Sequence, residues 1–506
     1  MAALPEERPE ELLDETIARL VPYALARRGN FLPFRSVEGV IEVLVTDRTD
    51  PFALDEFRLE AEAPIRPVSV DQGRFLAALR RAHQSGDAVV ETLLEDLSLH
   101  SLASQLAQKP DLLESEDDAP IIQLVNSLIV QAIRDRASDI HIEPFENDIA
   151  VRFRVDGMLH VVLKPPKPVQ APLMSRIKVM AGLNIAEKRL PQDGAMRVQV
   201  ARKEVDVRVS VLPSNHGERL VLRLLDKDSS ITGLSELGLT ANQVSWLRER
   251  ITASHGILLV TGPTGSGKST TLYAVLTAIN TPEKNIITIE DPIEYSLEGV
   301  GQIQVAPKIG LTFASGLRSI LRQDPDVIMV GEIRDQPTAE IAIQASLTGH
   351  LVFSTLHTND SVGAVTRLVD MGIEPFLVGS SLEGVVAQRL VRRLCVTCRE
   401  SYKPPVEWVE RYGFGRATGE VGLLYRPRGC ADCLGSGYRG RTALFEMLAM
   451  SDAIRDLVVR RAPDHELRRV AQGEGMVPLA RSGMAKVEAG VTSLEEVLRV
   501  TQERGG

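Results

Sequence analysis

The segment Gly256–Ile279 reads GILLVTGPTGSGKSTTLYAVLTAI and combines a short apolar run, a glycine-rich loop and a helix-forming stretch. The run Gly256–Thr261 predicts a buried strand, and Thr270–Ile279 predicts a helix. Between them stands G-x-x-x-x-G-K-[ST], a pattern whose backbone N–H groups converge on phosphate oxygens at a helix N-terminus. In this pattern Lys268 neutralises the β- and γ-phosphates of a nucleotide and Ser269 reaches Mg²⁺. The candidate nucleotide-binding residues are therefore Gly262, Pro263, Thr264, Gly265, Ser266, Gly267, Lys268, Ser269 and Thr270.

Three more apolar runs each end in polar residues. They are Asn285–Ile289 before Glu290–Glu294, Val327–Val330 before Gly331-Glu332, and Leu351–Thr355 before Leu356-His357. In a parallel α/β sheet the ligand lies outside the carboxyl ends of the strands, so these side chains are expected to face the nucleotide of the glycine-rich loop. A carboxylate after a strand is more often a helix N-cap, but several of them downstream of a phosphate loop favour an active site.

Hydrolysis of a nucleotide needs an oriented water, a metal ion for the phosphate charge and a cation for the transition state. Glu294 and Glu332 are the candidates for the first two tasks. Gly331 follows the Asp326–Val330 strand where many ATPases carry Asp, so Glu332 is expected to serve the metal or its waters. His350 and His357 flank one strand and could sense the γ-phosphate, or they could be ordinary core or surface histidines.

All four cysteines form two C-x₂-C pairs, Cys395/Cys398 and Cys430/Cys433, separated by 31 residues. Two such pairs supply four thiolates to one tetrahedral ion, which predicts a structural zinc site with a closed ligand shell. A catalytic zinc would keep an open position, and a redox dithiol would not need two pairs. Unligated cysteines remain the other alternative.

The composition and charge narrow the class of protein. The chain has 506 residues, 44% of them hydrophobic and 25% charged, which predicts a multidomain globular protein. Residues 1–120 carry 12 Lys and Arg against 24 Asp and Glu, and the net charge of the whole chain is −10. Nothing here supplies the basic footprint of a nucleic-acid motor, so no nucleic-acid partner is expected. The acidic start and the lack of a long apolar run predict a chain that stays where it is made.

Three domains are expected before any family is considered. Residues 1–110 predict a small α+β domain with helices at 9–29 and 71–108 and a strand at Gly39–Val45. It closes on Lys109-Pro110, and the acidic run Glu114–Asp118 follows, so a domain boundary is expected near 110–118. Residues 119–228 predict an α+β domain that opens with an amphipathic helix and contains a hairpin at Asp156-Gly157. A polar connection at 229–240 leads into the largest domain, 241–506.

Several motifs carry a resemblance to a known family. The loop Gly262–Thr270 is followed by IEDPIEY at Ile289–Tyr295, DPDVIMVGEIRD at Asp324–Asp335 and LTGHLVFSTLHT at Leu347–Thr358. SDIHIEP at Ser138–Pro144, RLPQDG at Arg189–Gly194, the cysteine pairs and GYRGR at Gly437–Arg441 accompany them. In this order they resemble the ATPases of the type II/type IV secretion-pilus superfamily, most closely the type II secretion system ATPases (general secretory pathway protein E).

The resemblance implies an α/β fold: a RecA-like P-loop motor, 241–506, that carries a tetracysteine zinc insert, 395–433. A PAS-like α+β domain, 119–228, and a small N-terminal partner-docking domain, 1–110, precede it. It also implies a homohexamer that hydrolyses ATP with Mg²⁺, with Glu294 acting on water, Glu332 acting through Mg²⁺, and Arg208 and Arg223 of the PAS-like domain reaching the nucleotide.

The resemblance extends to the setting of such a motor. The family's members are cytoplasmic and peripheral to the inner membrane, where they contact the cytoplasmic domain of the L protein and the F-type platform protein and drive pseudopilus assembly. A type IV pilus assembly ATPase is the alternative within the superfamily. A nucleotide-sensing scaffold without hydrolysis is a different class of answer, and intact Lys268, Glu294 and Glu332 argue against it.

Overall fold

The computed structural model describes residues 13–18, 20–21, 25–26, 29–37, 39–61, 63–82, 119–200, 203–226, 233–415 and 422–501. The chain divides into two compact units, Met1–Asp226 and Lys227–Gly506. Within the described residues, no helix is both long enough and apolar enough to cross a membrane.

The N-terminal part of the first unit is a three-stranded sheet with short helices. Strands β1 (Phe31–Val37) and β2 (Val40–Val45) are antiparallel, and β3 (Ile65–Ser69) runs parallel to β2. The helices described here are Glu15–Ala18, Pro51–Glu60 and Gln72–Ala82. Their buried side chains form one hydrophobic cluster with the sheet.

The sequence predictions for this part were correct only in places. The strand predicted at Gly39–Val45 is β2, whereas β1 and the helix Pro51–Glu60 were not predicted. The predicted helix at 71–108 is present as Gln72–Ala82 and the rest of it lies outside the described residues, as does the predicted boundary at 110–118.

The second part of this unit is a six-stranded antiparallel sheet with the order β6-β5-β4-β9-β8-β7. Its strands are β4 (Ala137–Pro144), β5 (Ile149–Val155), β6 (Met158–Leu163), β7 (Gln192–Val200), β8 (Lys203–Ser214) and β9 (Gly217–Asp226). The helices Ala119–Arg134 and Gln170–Met180 contribute to its hydrophobic core, and a short 3-10 helix spans Lys167–Val169. The predicted hairpin joins β5 to β6, with φ of 49° at Asp156 and 85° at Gly157, as a type I′ turn requires.

The second unit is built on a seven-stranded sheet with the order β12-β11-β13-β14-β10-β15-β18. Its strands are β10 (Gly256–Thr261), β11 (Ile286–Glu290), β12 (Gly301–Gln304), β13 (Val327–Val330), β14 (Leu351–Leu356), β15 (Leu382–Leu394) and β18 (Tyr438–Ala449). Neighbouring strands are parallel except β15 and β18. The carboxyl ends of β10, β11, β13 and β14 therefore share one edge, as predicted.

Both faces of this sheet are buried. Along β10, Ile257 and Leu259 enter one hydrophobic cluster while Leu258 and Val260 enter another, because successive side chains point to opposite faces. Burial on both faces explains why the central strands read as continuous apolar runs. The helices of this unit are Ala241–Ile251, Lys268–Ile279, Phe313–Ile320, Gln336–Leu347, Ser361–Asp370, Pro375–Ser381, Val406–Tyr412, Asp452–Val459, Asp464–Gly473, Leu479–Glu488 and Leu494–Thr501. Short 3-10 helices span Leu234–Glu236, Pro307–Ile309 and Ala431–Cys433.

Two features of this unit depart from or extend the sequence prediction. The predicted polar connection at 229–240 includes Leu234 and Leu237, which are buried in the core beside β10. The cysteine-bearing segment is an insertion between the antiparallel strands β15 and β18, and it contains a small sheet of β16 (Glu400–Tyr402) and β17 (Leu424–Arg426).

Candidate active site and metal centre

The glycine-rich loop leaves β10 and enters the helix Lys268–Ile279 through backbone conformations that favour glycine. Gly262 has φ of 150° and Gly267 has φ of 88°. A Cβ atom at Gly262 would lie 2.5 Å from the backbone oxygen of Gln388. A Cβ atom at Gly267 would lie 2.8 Å from the side-chain nitrogen, Nε2, of the same residue. The loop therefore packs closely against β15, and its path requires glycine at these two positions.

Lys268, at the start of this helix, is buried and turns back on the loop. Its Nζ donates hydrogen bonds to the backbone oxygens of Gly262 (2.8 Å) and Pro263 (3.1 Å). Burial lowers the pKa of Lys268 to about 8, while the nearby charge of Glu332 acts in the opposite direction and that of Arg389 adds to the lowering. An anionic group in the loop would restore the ammonium's preference for its charged form.

The loop fits a phosphate group. Ser266 Oγ is buried and has no hydrogen-bond partner among the described residues. No side chain caps the helix that begins at Lys268, so its first N–H groups are available to an anion. Ser269 and Thr270 follow on the exposed side of the first turn, where a hydroxyl oxygen suits Mg²⁺.

Side-chain hydrogen bonds hold the strand ends together at this edge of the sheet. Thr261 Oγ1 lies 2.7 Å from Thr358 Oγ1 and 3.1 Å from the backbone oxygen of Leu356, which joins the end of β10 to the end of β14. Thr355 Oγ1 donates to the backbone oxygen of Gly331 at 2.7 Å, which joins β14 to the segment after β13. The residues that follow these strands are thereby placed side by side.

Glu332 is the centre of a charged cluster at this edge. Its side chain accepts a hydrogen bond from Arg334 and lies 3.4 Å from His357 Nε2, while Arg334 lies 3.9 Å from Asp291 Oδ2. Burial alone would raise the pKa of Glu332, but Arg334 and His357 outweigh it and lower the pKa. The carboxylate is therefore kept ionised close to Lys268.

The two predicted histidines are placed differently. His357 contacts Glu332, as described above. His350 precedes β14 at the opposite end of that strand, and its backbone oxygen accepts a bond from Gly256 at the start of β10. The hypothesis that His350 senses the γ-phosphate was therefore wrong, because β10 and β14 run parallel and their carboxyl ends carry the loop and His357.

Glu294 lies in the segment after β11, and its backbone N–H donates to the hydroxyl of Tyr273 at 3.3 Å. Sequence reasoning did not single out Tyr273, Arg334 or Gln388. The only available signal for Arg334 was its place two residues after Glu332, and the roles of the other two depend on contacts that the sheet order creates.

Arg208 and Arg223 belong to the other unit, where they are opposite each other on β8 and β9. Arg223 Nε lies 3.0 Å from Asp139 Oδ1 on β4. Their role toward a nucleotide stays a prediction.

The four cysteines come together as predicted. Sulfur–sulfur distances are 3.9 Å for Cys395 and Cys430, 3.8 Å for Cys398 and Cys433, and 3.7 Å for Cys430 and Cys433. All four Sγ atoms lie within 4.8 Å of one another. Zinc–sulfur bonds of about 2.3 Å in a tetrahedron place the sulfurs about 3.8 Å apart, so the cluster fits Zn²⁺.

Backbone amides support thiolates in this cluster. Cys433 Sγ accepts hydrogen bonds from the N–H groups of Cys430 (3.2 Å) and Gly437 (3.1 Å), and Cys398 Sγ accepts one from Gly429 (3.3 Å). Burial would raise the pKa of Cys433, but the N–H groups of Cys430 and Gly437 lower it, whereas burial and the neighbouring Cys433 thiol raise the pKa of Cys430. Since a metal-bound cysteine must be deprotonated, the donor set suits a metal ligand.

Comparisons with known proteins agree with this geometry. Residues 114–499 match the family model described as type II/IV secretion system protein, and residues 4–89 match the MshEN domain. The type II secretion system ATPase E of Vibrio cholerae serotype O1 is 52% identical over 457 residues, covering 89% of this chain and 90% of that protein. The type II secretion system protein E of Pseudomonas aeruginosa is 50% identical over 490 residues, covering 96% and 97%.

Solved structures show the same fold. The crystal structure of the pilus retraction motor PilT with bound ADP matches with a TM-score of 0.50 and 27% identity, over 74% of this chain and 96% of that chain. The ATPase DotB of Yersinia pseudotuberculosis matches with a TM-score of 0.56 and 22% identity, over 76% and 94%. The resemblance that the motifs carry is thereby confirmed, and so is the α/β motor fold that it implies. The chain belongs to the type II/IV secretion system protein family, and within it to the type II secretion system E proteins.

Proposed function

We propose that this chain is the ATP-hydrolysing motor that powers protein export by a type II secretion system, driving pseudopilus assembly. The observation that carries the proposal is the edge of the large sheet, where the loop Gly262–Ser269 and Lys268 lie beside Glu332. The name of the Vibrio relative, type II secretion system ATPase E, supports the reaction and the system.

Binding begins with the loop. The loop N–H groups and Lys268 hold the β- and γ-phosphates of ATP, and the ammonium exchanges its contacts with two backbone oxygens for phosphate oxygens. Ser269 would supply an oxygen ligand to Mg²⁺, and Glu332 would act through that ion. Its charge would offset that of the phosphate oxygens.

Hydrolysis then requires a positioned water. Glu294 orients this water and accepts its proton while the water oxygen attacks the γ-phosphorus and the bond to the bridging oxygen breaks. Arg208 and Arg223 offset the charge that develops in the transition state. His357, in contact with Glu332, senses the γ-phosphate.

The organisation of the motor is part of the proposal. Residues 1–110 form a partner-docking domain, 119–228 a PAS-like domain, and 241–506 the motor with its zinc insert at 395–433, which holds one structural Zn²⁺ per chain. Six chains assemble into a ring in the cytoplasm at the inner membrane. Membrane contact is indirect, through the L protein and the F-type platform protein, and no nucleic acid takes part.

The names of the similar proteins indicate the branch of the superfamily. The curated proteins described above carry type II secretion names at about 50% identity over most of both chains. This similarity favours export over type IV pilus assembly.

The test is Lys268→Ala in the full chain. Removing the ammonium that neutralises the phosphates should abolish Mg²⁺-dependent ATP turnover and, in a strain that lacks the native gene, export of type II substrates. Lys308→Ala, an exposed lysine of the same unit, is the matched control and should turn over ATP normally. Turnover of Lys268→Ala at the wild-type rate would refute the assignment of the loop.

A further inference from the structure

We propose that Tyr273 and Glu290 form a positioning pair that fixes the catalytic segment of Glu294 to the helix that begins at Lys268. The proposal rests on the role of Glu294 given above. Tyr273 lies outside the quoted motifs, and Glu290, which the motif IEDPIEY contains, had been given no role of its own.

Tyr273 connects the two halves of the site through one hydroxyl. It lies on the helix Lys268–Ile279, five residues after the phosphate-binding lysine, and only 1% of its surface is exposed. Its hydroxyl donates to Glu290 Oε2 and accepts the backbone N–H of Glu294 at 3.3 Å. A helix whose N-terminus holds phosphate is thus bonded to the backbone of the residue that activates water.

Glu290 keeps this hydroxyl in one orientation. The carboxylate ends β11 and is 4% exposed. Besides Tyr273, it accepts hydrogen bonds from Thr288 Oγ1 (2.5 Å) and Gln302 Nε2 (3.0 Å). Since the phenol proton is committed to the carboxylate, a lone pair of the oxygen is left for the N–H of Glu294.

The chemistry of the pair favours positioning over packing alone. Among the described residues, the hydrogen-bond donors to Glu290 are neutral, and no ion pair involves it. Burying a carboxylate without a cation costs free energy of desolvation, and apolar side chains in its place would stabilise the fold better. A hydrogen-bonded pair does provide a fixed direction, which a catalytic segment needs.

The next residue along the segment is held by the same tyrosine. The ring of Tyr295 contacts that of Tyr273 edge-on, with 4.4 Å between centroids and an interplanar angle of 86°. Gln302 also accepts the backbone N–H of Leu297 at 2.7 Å through its Oε1. The segment of Glu294 is therefore held before that residue at Glu290 and after it at Tyr295 and Leu297.

The test uses the full chain and begins with Tyr273→Phe, which removes the hydroxyl and keeps the ring. We expect kcat for ATP hydrolysis to fall about tenfold, because the water-activating group loses its fixed position, while KM for ATP stays within about twofold. Tyr438→Phe is the matched control: it is also a buried tyrosine with a hydrogen-bonded hydroxyl, 2.8 Å from Ser493 Oγ, and its kcat should match the wild type.

A double-mutant cycle with Glu294→Gln separates the proposal from a general effect. If Tyr273 acts through Glu294, then Tyr273→Phe should change kcat less than twofold in the Glu294→Gln background. An equal loss in both backgrounds would overturn the positioning role and leave the role of Glu294 intact. Wild-type kcat in Glu294→Gln alone would refute the role of Glu294, and with it this proposal.

Glu290→Gln tests the other member of the pair. The amide keeps the volume and weakens the acceptor, so the same fall in kcat is expected with an unchanged unfolding midpoint. If both Tyr273→Phe and Glu290→Gln lower the unfolding midpoint and leave the kcat of the folded fraction unchanged, the pair is structural and the proposal fails.

Discussion

Lys268 and Glu496 are buried charged side chains of the same unit, and burial opposes the charged form of both. In the part of the chain that the structure describes, the hydrogen-bond partners of Lys268 are neutral backbone oxygens, and burial lowers its pKa to about 8. Glu496 is contacted by two guanidinium groups, with Arg392 Nη2 at 2.8 Å and Arg499 Nη2 at 2.6 Å from its oxygens. The carboxylate of Glu496 thus has two charged hydrogen-bond partners, whereas the ammonium of Lys268 has neutral ones.

Glu496 should make the stability of the second unit depend on pH in acid. Burial would raise its pKa, but Arg499 and Arg392 outweigh this and lower it to about 2, against 4.5 for an ordinary glutamate. A lowered pKa stabilises the fold above the unfolded value, and the contribution is lost as the pH falls from about 4.5 toward 2. The difference corresponds to roughly 3 kcal/mol at neutral pH.

We therefore expect Glu496→Gln to lower the free energy of unfolding at pH 7, and the gap from the wild type to narrow at pH 3. Urea unfolding at both pH values measures this. Glu495→Gln changes the neighbouring exposed carboxylate and should show neither effect. A gap of equal size at both pH values would show that the ion pairs of Glu496 do not set the acid sensitivity.

At the residue scale, the sequence predicted groups that belong to a linear pattern. The loop residues, Glu332 and the cysteines stand at fixed spacings, so their chemistry could be inferred before the fold was known. Tyr273 could not be found this way, because it acquires its contacts only when the loop helix and the segment after β11 are placed together. Arg334 contacts Glu332 from two residues further along the chain, but no pattern assigned it a role. His350 shows a different error: it directly precedes β14, so it lies at the amino end of that strand, whereas the loop and His357 lie at the carboxyl ends.

At the scale of elements, β10, β11, β13 and β14 were predictable, whereas β15 and β18 at one side of the sheet were not. β10, β11, β13 and β14 are short apolar runs because both sheet faces are covered. β15 and β18 are long strands that carry several arginines, since part of each extends from the core toward the cysteine insertion. No simple periodicity marks such strands, and their antiparallel pairing depends on the insertion that separates them.

The insertion itself leads to a prediction about metal content. The two turns with cysteines are joined by a hydrogen bond from Thr397 to Asp432 (3.0 Å), and the four sulfurs converge between them. The free energy of binding Zn²⁺ at these sulfurs would therefore contribute to local folding. Elemental analysis should find one Zn²⁺ per chain, and Cys395→Ser or Cys430→Ser should lose it. Order around 395–433 should then decrease, as hydrogen exchange would show, while the distant loop of Lys268 still binds ATP.

Val396→Ser provides the control for this prediction, because it alters an exposed position between two ligands and keeps all four thiols. It should retain the metal. A wild-type protein that is free of zinc and has native stability would show that the cysteines serve another purpose.

At the scale of the whole molecule, the nucleotide-binding loop and the N-terminal region belong to different compact units. The hydrophobic cluster around β1, β2 and β3 is drawn only from residues 13–82, and the glycine-rich loop lies in the unit Lys227–Gly506. The match of residues 4–89 to the MshEN domain agrees with an independent module there. The sequence predicted the modules from their charge and pattern, but residues 83–118, where the predicted boundary falls, lie outside the described part.

This separation predicts that the N-terminal module is the tether to the membrane. A motor that drives an envelope-spanning machine must push against something fixed. The 24 acidic residues among the first 120 would steer a basic patch on a partner. Deleting residues 1–110 should therefore move the protein out of the membrane fraction and abolish export, while ATP binding is spared because Lys268 and its strand belong to the other unit.

Fractionation of partner-containing cells, export of a type II substrate and nucleotide binding by the purified chain measure the three effects. Full-length Lys268→Ala is the complementary control, since it should stay in the membrane fraction and fail only in ATP turnover and export. Because exposed charges are screened at high ionic strength, salt should also release the wild-type chain from the membrane fraction, as the deletion does. Membrane association of the truncated chain at the wild-type level would place the tether elsewhere in the molecule.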